Sequence, residues 1–415
     1  MAAPAVRFAD RPPATADLVV IGGGVVGCAT AFFAARAGLG VVVLERRAAL
    51  GTLTTPASTG AFRLQFDNPE EIALVREGVE LFDDFGDRTG LDGWDLRLRH
   101  GGYLFCSLTD GTVERSRRLV ERQREWGLTD VELLSGDEAR ARWPWLSPEV
   151  RGARYRAGDG WLDVKRLTAG YAAAASAPER IPDGAGRGGT TFVTRAGVTG
   201  IDMVDDQVRG VVTTRGPIST RSVVVAAGPF TGHVAAMAGV HVELRPTRRQ
   251  KLVIPELPSI PADAPMTIEE ETAAHWRPAM AGCLALYTDP DAPPSEPHDP
   301  VPIEHDWAFG LLDPTSDHAL ARVAPFWRDV WSGGAPTVHW FLQAGQYEYT
   351  PDRRPYIGQI GPDGLYLNGG YSGHGIMAGA GGSRLCVDLL TGAADAATNP
   401  MRPDRAFADR EHDIL

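Results

Sequence analysis

Glycines with a regular spacing stand early in the sequence, at Gly22, Gly24 and Gly27. In dinucleotide-binding turns the first glycine allows a tight bend, the second lets a pyrophosphate approach the backbone, and the third lets helix and strand pack closely. The phosphates then meet the free N–H groups at the start of the helix. Glu45 follows about twenty residues later, where a carboxylate can bind ribose hydroxyls and repel a 2′-phosphate. The pattern predicts a dinucleotide site, and its position early in the chain favours FAD over NAD.

A second glycine-rich segment, residues 369–375, contains the triplet Gly-His-Gly. It lies between a predicted strand at 365–367 and a predicted helix at 376–390. The positive end of that helix would stabilise the negative charge that a flavin gains on reduction. An ordinary glycine turn is the alternative. His374 would contact the flavin there, and an unperturbed histidine pKa of about 6.5 suits a general base.

Further polar and aromatic side chains are candidates for the substrate side of such a site. Arg63 would either bind an anionic substrate or hold a flavin loop by a structural ion pair. His275 lies on a predicted strand facing the cavity and, like His339, is either a catalytic base or a structural histidine. Tyr347 and Trp276 would either wall an apolar pocket or pack in the core.

The elements that must position these residues begin with a strand–helix–strand unit. Residues 17–21 are a short β-branched run typical of a buried parallel strand, residues 25–36 predict a helix, and residues 41–44 predict a second strand. The run at 223–228 predicts a third buried strand that ends in a glycine. These units predict an α/β, Rossmann-like FAD-binding domain with a mostly parallel, doubly wound sheet.

The remaining patterns predict a second, interleaved domain with a mixed or antiparallel sheet, so that the whole chain is α+β. Apolar periodicity predicts helices at 69–89, 114–126 and 167–175, and strands at 101–107, within 192–215, at 252–254 and at 283–287. The predicted boundaries are 15–84, 150–236 and 340–396 for the FAD-binding domain, 85–149 and 237–339 for the substrate-binding domain, and 397–415 for a polar surface tail.

Residues 287–306 form a loop dense in Pro and Asp. A loop of this length without regular structure is usually functional or mobile. A surface arm and a lid over the site are both open interpretations of this segment.

The composition of the chain indicates which kinds of partner the protein can bind and in which cellular compartment it works. The chain of 415 residues carries a formal net charge of -12, which disfavours nucleic acid as a partner. Its cysteines, at 28, 106, 283 and 386, lack the spacing of a zinc site, so we expect buried reduced thiols and no metal. No run approaches the roughly 20 apolar residues of a membrane span. We expect a cytoplasmic protein, with homo-oligomer formation left open.

Four segments together resemble the D-amino acid oxidase superfamily, most closely the glycine/sarcosine oxidase and sarcosine oxidase β-subunit-like flavoproteins. They are the glycine turn with Glu45-Arg46, residues 54–63, the strand ending at Gly228, and the pair formed by Thr350-Pro351-Asp352 and Gly373-His374-Gly375. The resemblance implies an FAD cofactor, a small-molecule substrate, and oxygen or another electron acceptor.

The resemblance also implies a role for each matching residue. The residues around the FAD would be Gly22, Gly24, Val26, Gly27, Glu45, Arg46, Thr54, Thr55, Ser58, Thr59, Val198, Ala227, Gly228, Gly345, Gly373, His374, Gly375, Ile376 and Met377. The catalytic site would lie over the flavin face near Arg63, Tyr347 and His374, with His275 as a further candidate.

Three positions depart from the pattern of these flavoproteins. Monomeric sarcosine oxidases carry a covalent flavin link on a cysteine that corresponds to Gly345, so a non-covalent FAD is expected here. A lysine that helps to bind the substrate carboxylate is replaced by Met377. A lysine that promotes the oxygen reaction is replaced by Ala285 at the best match.

Three functions are consistent with these observations. The first is oxidation of a CH–NH group of a small amine or amino acid by hydride transfer to flavin N5. The second is an FAD-dependent oxidase of a CH–OH group in a sugar, glycoside or other alcohol, which needs a histidine base. The third is a subunit that depends on a partner for activity.

Overall fold

The computed structural model describes residues 5–289, 292–333 and 339–407. The strands, in chain order, are β1 (Leu18–Ile21), β2 (Gly40–Leu44), β3 (Ala61–Phe62), β4 (Tyr103–Ser107), β5 (Glu132–Ser135), β6 (Gly152–Arg156), β7 (Gly160–Trp161), β8 (Gly189–Val193), β9 (Val198–Val204), β10 (Gln207–Thr213), β11 (Gly216–Ser219), β12 (Val223–Val225), β13 (Arg245–Ile254), β14 (Met266–Glu269), β15 (His275–Ala279), β16 (Gly282–Leu286), β17 (Phe341–Tyr349), β18 (Tyr356–Gln359) and β19 (Leu365–Gly369). The helices are α1 (Val25–Arg36), α2 (Pro69–Asp83), α3 (Phe85–Thr89), α4 (Asp110–Glu125), α5 (Gly136–Arg142), α6 (Val164–Ala175), α7 (Thr231–Ala236), α8 (Trp307–Leu312), α9 (Phe326–Ser332) and α10 (Gly375–Thr391).

A six-stranded sheet with the order β18-β19-β12-β1-β2-β8 forms the centre of one half of the molecule. β1 pairs in parallel with β2 and β12, and β12 pairs in parallel with β19. At one edge β18 runs antiparallel to β19. Every residue of β1 and β12 is buried, because helices cover one face of the sheet and the strands β9, β10 and β11 with α7 cover the other, and this explains their unbroken apolar runs.

The helices that cover this sheet are themselves deeply buried. α1 packs against α6 and α10, and α10 also packs against α2. α1 begins at Val25, directly after the glycine turn, and ends at Arg36. Gly38 follows with a φ of 90°, a left-handed conformation that commonly terminates a helix. The short α1 therefore turns the chain back into β2 and keeps the glycine turn at the carboxyl end of β1.

The second large sheet has eight strands in the order β17-β13-β16-β15-β14-β4-β6-β5. β14 pairs in parallel with β4, whereas β13, β15, β16 and β17 pair antiparallel with their neighbours, so the sheet is mixed. One face, with Leu252 and Trp276, packs against α8 and α9. The other face carries Lys251 and Arg277, which bond to the backbone of residues 56–59 in the first half. The predicted α/β cofactor domain beside a mixed sheet is confirmed.

Two predicted domain boundaries and one predicted helix bear comparison with the observed elements. β6 and β17 belong to the eight-stranded sheet, although the predicted boundaries place residues 150–236 and 340–396 in the FAD-binding domain. Apolar runs reveal a strand but not its partner, so the boundaries stay a prediction at these two points. The helix predicted at 69–89 is broken at Asp84, which leaves the helical conformation so that Phe85 turns into the core.

The predicted surface tail is docked at its start. Met401 is buried, and Arg405 forms an ion pair with Asp352 at 2.7 Å. These contacts fasten residues 397–407 to the body of the protein, whereas residues 408–415 of that prediction lie outside the described residues. Within the described ranges no helix has the length and apolar character needed to cross a membrane, and no cluster of three or more metal-ligating side chains occurs. All four cysteines are buried and free.

Candidate active site

An elongated cavity of about 290 Å³ lies between the two sheets. One end is formed by residues 44–47 and 196–198, beside the carboxyl end of β2. The middle is formed by the first glycine turn, and the other end by residues 371–376 before α10. The cavity therefore joins both glycine-rich segments singled out in the sequence, and its length suits an extended ligand.

The first glycine turn has the close contacts that its spacing predicts. Gly22 has a φ of 118°, and a Cβ added there or at Gly27 would overlap a backbone carbonyl group. Gly24 begins α1 without a side-chain cap, while Thr55 Oγ1 accepts from the Val25 N–H at 3.3 Å. The first turn of α1 thus presents its N–H groups to the cavity, which is the arrangement that binds phosphate.

Acidic and basic side chains stand together at the β2 end of the cavity. The Glu45 carboxylate accepts from the Gly23 N–H at 2.9 Å and from the Arg47 N–H at 2.7 Å. Arg46 lies with its guanidinium 3.7 Å from the centre of the Phe230 ring. These contacts fix Glu45 beside the turn, where a ribose of a bound dinucleotide would lie.

The second glycine turn is held in place by a buried hydrogen-bonded group of side chains. Asn368, at the end of β19, donates to Thr30 of α1 at 2.9 Å and to Ser383 of α10 at 3.0 Å. Tyr371 donates to Asn368 at 2.5 Å. α10 starts at Gly375 with no side-chain cap, and Gly375 and Ile376 place its N-terminus in the cavity lining.

His374 and Met377, which were predicted to contact the flavin edge, lie outside the cavity lining. The His374 ring packs edge-on to Phe66 at 4.9 Å, and its Nδ1 lies 3.4 Å from Glu71 of α2. Met377 is buried in the core between α10 and the neighbouring helices. The α-helical turn that begins at Gly375 rotates both side chains toward α2, whereas Ile376 stays in the cavity wall.

Arg63 is 4% exposed and is surrounded by aromatic rings. Its guanidinium lies 4.8 Å from the centre of the Phe66 ring and 5.7 Å from that of Phe105. Burial raises the pKa of Tyr103, and the nearby Arg63 charge opposes that rise. Tyr347 lines the cavity, and the Arg63 charge likewise opposes the rise in the pKa of Tyr347. The arginine therefore lies beside the cavity, in surroundings of low polarity where its attraction for an anion is strong.

His275 is buried on β15 beside Arg63. Its Nδ1 is 2.7 Å from the Ala273 carbonyl oxygen, and burial lowers its pKa to about 4. Its cross-strand neighbour Leu286 lines the cavity. Ala285 points to the opposite, helix-covered face, so it does not hold a cavity position. At neutral pH His275 is uncharged, and it is a weaker base than an ordinary histidine.

Arg249 is a cavity residue that sequence reasoning missed. It pairs across the sheet with Gly345, and it is 9% exposed. Its Nη2 donates to the Tyr349 hydroxyl at 3.0 Å, and its Nε has no hydrogen-bond partner among the described residues. Burial, together with Tyr349, raises the pKa of Tyr347 to about 12, so that phenol stays protonated beside the guanidinium.

Lys251 and Arg277 are two further basic side chains on the face of the eight-stranded sheet that contacts the first half of the molecule. Lys251 donates through Nζ to the Pro56 and Ser58 carbonyl oxygens at 2.9 and 2.7 Å, and burial lowers its pKa to about 7. Arg277 donates through Nε to the Thr59 carbonyl oxygen at 2.9 Å. Both side chains hold the segment between the two sheets in place.

Most of the predicted cofactor-binding residues line the cavity, and four do not. Those in the lining are Gly22, Gly24, Val26, Glu45, Arg46, Thr54, Thr55, Ser58, Val198, Ala227, Gly228, Gly345, Gly373, Gly375 and Ile376. Those outside it are Gly27, Thr59, His374 and Met377. Of the predicted catalytic residues Tyr347 lies in the lining, while Arg63 and His275 lie behind it.

Sequence reasoning missed several lining residues, namely Arg47, Phe230, His233, Arg249, Gln250, Gln346 and Tyr371. Gln250 and Gln346 come from paired strands of the second sheet. Their place in the cavity depends on which strands pair, and that is a long-range property. Arg47 was within reach of the sequence argument, because it directly follows Glu45-Arg46.

The residues present fit an FAD. Two uncapped helix N-termini face one cavity, a glycine turn allows close approach of a pyrophosphate, and an acid stands where a ribose would lie. Gly345 has no side chain that could form a covalent link, and a Cβ added there would lie 2.9 Å from Ala57 Cβ. The fold and the cavity thus define a flavin-dependent oxidoreductase.

Comparison with known proteins gives the family. Residues 17–389 match the model of the DAO family, described as FAD dependent oxidoreductase. The chain belongs to this family, and its cofactor is FAD.

Individual relatives are distant but extensive. The chain is 28% identical over 390 residues to the mitochondrial sarcosine dehydrogenase of Homo sapiens, covering 90% of this chain and 39% of that protein. It is 26% identical over 384 residues to the glycine oxidase of Pseudomonas putida, covering 91% and 95%. The structure of L-proline dehydrogenase from P. horikoshii superposes with a TM-score of 0.79 at 23% identity, covering 94% and 98%. The chain therefore spans about two fifths of the sarcosine dehydrogenase and nearly all of the glycine oxidase.

Proposed function

We propose that this protein oxidises the CH–NH group of a small amino acid or related amine whose carboxylate is bound at Arg63. The observation that carries the proposal is the position of Arg63, buried among aromatic rings beside the cavity. A buried guanidinium binds a carboxylate more strongly than an exposed one, because the low polarity around it screens the charges little.

The positive charge between the two large sheets also supports an anionic substrate. Arg249, Lys251 and Arg277 lie on the side of the second sheet that faces the first, and Arg63 lies beside them. Among the described residues, Arg249, Lys251 and Arg277 form no ion pair with an acid. Arg63 does have further contacts of its own. A cluster of this kind attracts substrate carboxylates and disfavours cationic amines that lack one.

The reaction needs little acid–base chemistry from the chain. When bound, FAD would supply the two-electron acceptor for the hydride of the substrate carbon–hydrogen bond, so the substrate would leave as an iminium ion. The amine must be neutral when it reacts, and it releases its proton to solvent on binding. No dedicated base is required for this step, which agrees with the low basicity of His275 and the distance of His374 from the lining. Tyr347 and the aromatic rings would exclude water and orient the substrate.

The relatives support the same substrate class. Their names specify sarcosine, glycine and L-proline, and each is a small amino acid. We further propose that the protein is cytoplasmic and passes its electrons to oxygen or another acceptor.

Alcohol oxidation is a second candidate because of one contact. His374 Nδ1 lies 3.4 Å from a Glu71 carboxylate oxygen, which is close enough to orient the imidazole. A base is what CH–OH oxidation requires, but His374 would first have to turn toward the cavity. The glycerophosphate oxidase of Mycoplasma pneumoniae shares the fold with a TM-score of 0.68 at 20% identity.

The experiment that tests the proposal is anaerobic reduction of the bound flavin. Purified protein is mixed with sarcosine, glycine, L-proline and a set of polyols, the flavin absorbance is followed, and air is then admitted. We expect bleaching with an amino acid and none with polyols. Bleaching by polyols alone would support the second candidate, and a protein that bleaches with neither until a partner is added would be a partner-dependent subunit. The rate of colour return in air shows whether oxygen is the acceptor.

A further inference from the structure

The Pro- and Asp-rich segment is neither a free arm nor a loose loop. Residues 292–304, here called the strap, lie against β13 and β17 and reach across to the loop that follows β2. Thr247 forms an isolated β-bridge with Pro294, and the Ser295 N–H donates to the Pro246 carbonyl at 2.8 Å. The strap thus begins as an extra strand-like pairing on the eight-stranded sheet.

A buried glutamine holds the middle of the strap. Gln346 of β17 is 1% exposed and lines the cavity. Its amide nitrogen donates to Ser295 Oγ at 3.0 Å and to the Glu296 carbonyl at 2.9 Å, and its oxygen accepts from the His298 N–H at 2.7 Å. Every hydrogen-bonding group of this side chain is therefore used by the strap.

A second buried glutamine holds the end of the strap. Gln250 of β13 also lines the cavity, and its oxygen accepts from the Glu304 N–H at 2.7 Å while its nitrogen donates to the Glu304 carbonyl at 3.3 Å. Because both glutamines have one side toward the cavity, the strap forms the layer directly behind that wall.

Asp299 closes the tip of the strap onto the other half of the molecule. Its carboxylate pairs with Arg46 at 2.5 Å and also with Arg47. Both arginines line the β2 end of the cavity, and Arg46 is held between Asp299 and the Phe230 ring. One carboxylate from the segment after β16 thus bridges two arginines that follow β2, across the outside of the cavity.

We propose that the strap is the outer wall of the FAD site and that Asp299 is a positioning residue, which holds Arg46 and Arg47 against the adenosine end of the cofactor. The ligand concerned is the adenosine diphosphate half of FAD, whose ribose and pyrophosphate would lie between Glu45 and the first glycine turn. FAD leaves only when the Asp299 contacts open. This role concerns the cofactor alone and does not depend on which substrate is oxidised.

The test is the rate of FAD release from purified holoenzyme, measured without substrate. Holoenzyme is diluted into excess apoflavodoxin as a trap, and the loss of bound flavin is followed by fluorescence. Asp299→Asn keeps the size of the side chain but removes its charge. We expect release to become about tenfold faster, since two partly exposed ion pairs are lost together. Release from the unaltered protein accelerates with added salt, because salt screens these pairs, and the variant loses that dependence.

The matched control is Asp306→Asn, which removes the same charge just beyond the strap. Asp306 is exposed and has no ion pair among the described residues. The rate of FAD release from this variant should therefore stay within about twofold of the rate for the unaltered protein. Thermal unfolding of each apoprotein shows whether a variant folds. If Asp299→Asn does not fold, Arg47→Gln breaks the same contact from the other side and should speed release in the same way.

Hydrogen exchange supplies a second readout that is independent of the flavin signal. The backbone amides of the strap should exchange slowly in holoenzyme and faster in holoenzyme carrying Asp299→Asn, while amides of α1 stay unchanged. A variant with the release rate, salt dependence and strap exchange of the unaltered protein would overturn the proposal.

Discussion

Replacement of Arg63 separates substrate binding from structural support. Arg63→Gln removes the charge and Arg63→Lys keeps it. Because Arg63 is 4% exposed, its bond to a carboxylate belongs with buried charged pairs rather than surface ones. Loss of one partner of such a pair costs roughly 3–4 kcal/mol, or about two to three orders of magnitude in kcat/KM. Arg63→Lys should lose only roughly tenfold, since an ammonium keeps the charge but not the two parallel hydrogen bonds.

The assay compares two substrates that differ only in the carboxylate. Anaerobic flavin reduction is measured with sarcosine and with N-methylethylamine, in which a methyl group replaces the carboxylate. Arg63→Gln should slow the reaction with sarcosine by about two to three orders of magnitude. It should change the slow reaction with N-methylethylamine by less than about threefold. Loss of stacking on Phe66 will cost about 1 kcal/mol of stability, which chemical denaturation measures separately. Equal losses on both substrates would show that Arg63 supports the fold or the flavin and does not bind a carboxylate.

Three further predictions follow from single residues. Arg249→Gln should raise the KM for carboxylate-bearing substrates about tenfold with little change in kcat, because its Nε is free to bind an anion at the cavity wall; steady-state kinetics that show an unchanged KM would exclude Arg249 from binding. Gly27→Ala should abolish FAD retention, because the new Cβ overlaps the Gly22 carbonyl, whereas Gly111→Ala in the open face of α4 should leave the flavin-to-protein absorbance ratio unchanged. His275, whose pKa burial lowers to about 4, stabilises the fold above pH 6.5, and that contribution of roughly 3 kcal/mol is lost as the pH falls from 6.5 to 4; urea denaturation of His275→Asn should show a flatter pH dependence over this range, and an identical dependence would contradict the assignment.

Local patterns predicted the cofactor half of the site well. The glycine turn, Glu45 and the second glycine-rich turn each combine residue type, spacing and flanking elements within a short stretch, so their chemistry is readable without a fold. The flavin contacts of His374 and Met377 stay a prediction, because the first turn of α10 sets the direction of both side chains. A sequence specifies that a helix begins near Gly375 but not which way each early side chain turns.

The substrate half depended on long-range pairing. Arg249 enters the site because β13 pairs with β17, which brings it beside Gly345, and no pattern near Arg249 indicates that neighbour. The strap was equally hidden, since an arm and a lid have the same composition. Its position is decided by the side-chain amides of Gln250 and Gln346, which lie more than 40 residues from the strap segments they hold.

The buried group of Asn368, Thr30 and Ser383 has a consequence for how the protein forms during synthesis. It fastens β19, α1 and α10 to one another, and β19 fills a place beside β12 within the first sheet. A nascent chain that has emerged only as far as β18 therefore has the glycine turn and Glu45 but lacks the strand and helix that complete their sheet and cavity. The cofactor site cannot assemble stepwise from its first βαβ unit. We therefore expect FAD capture to follow the folding of α10.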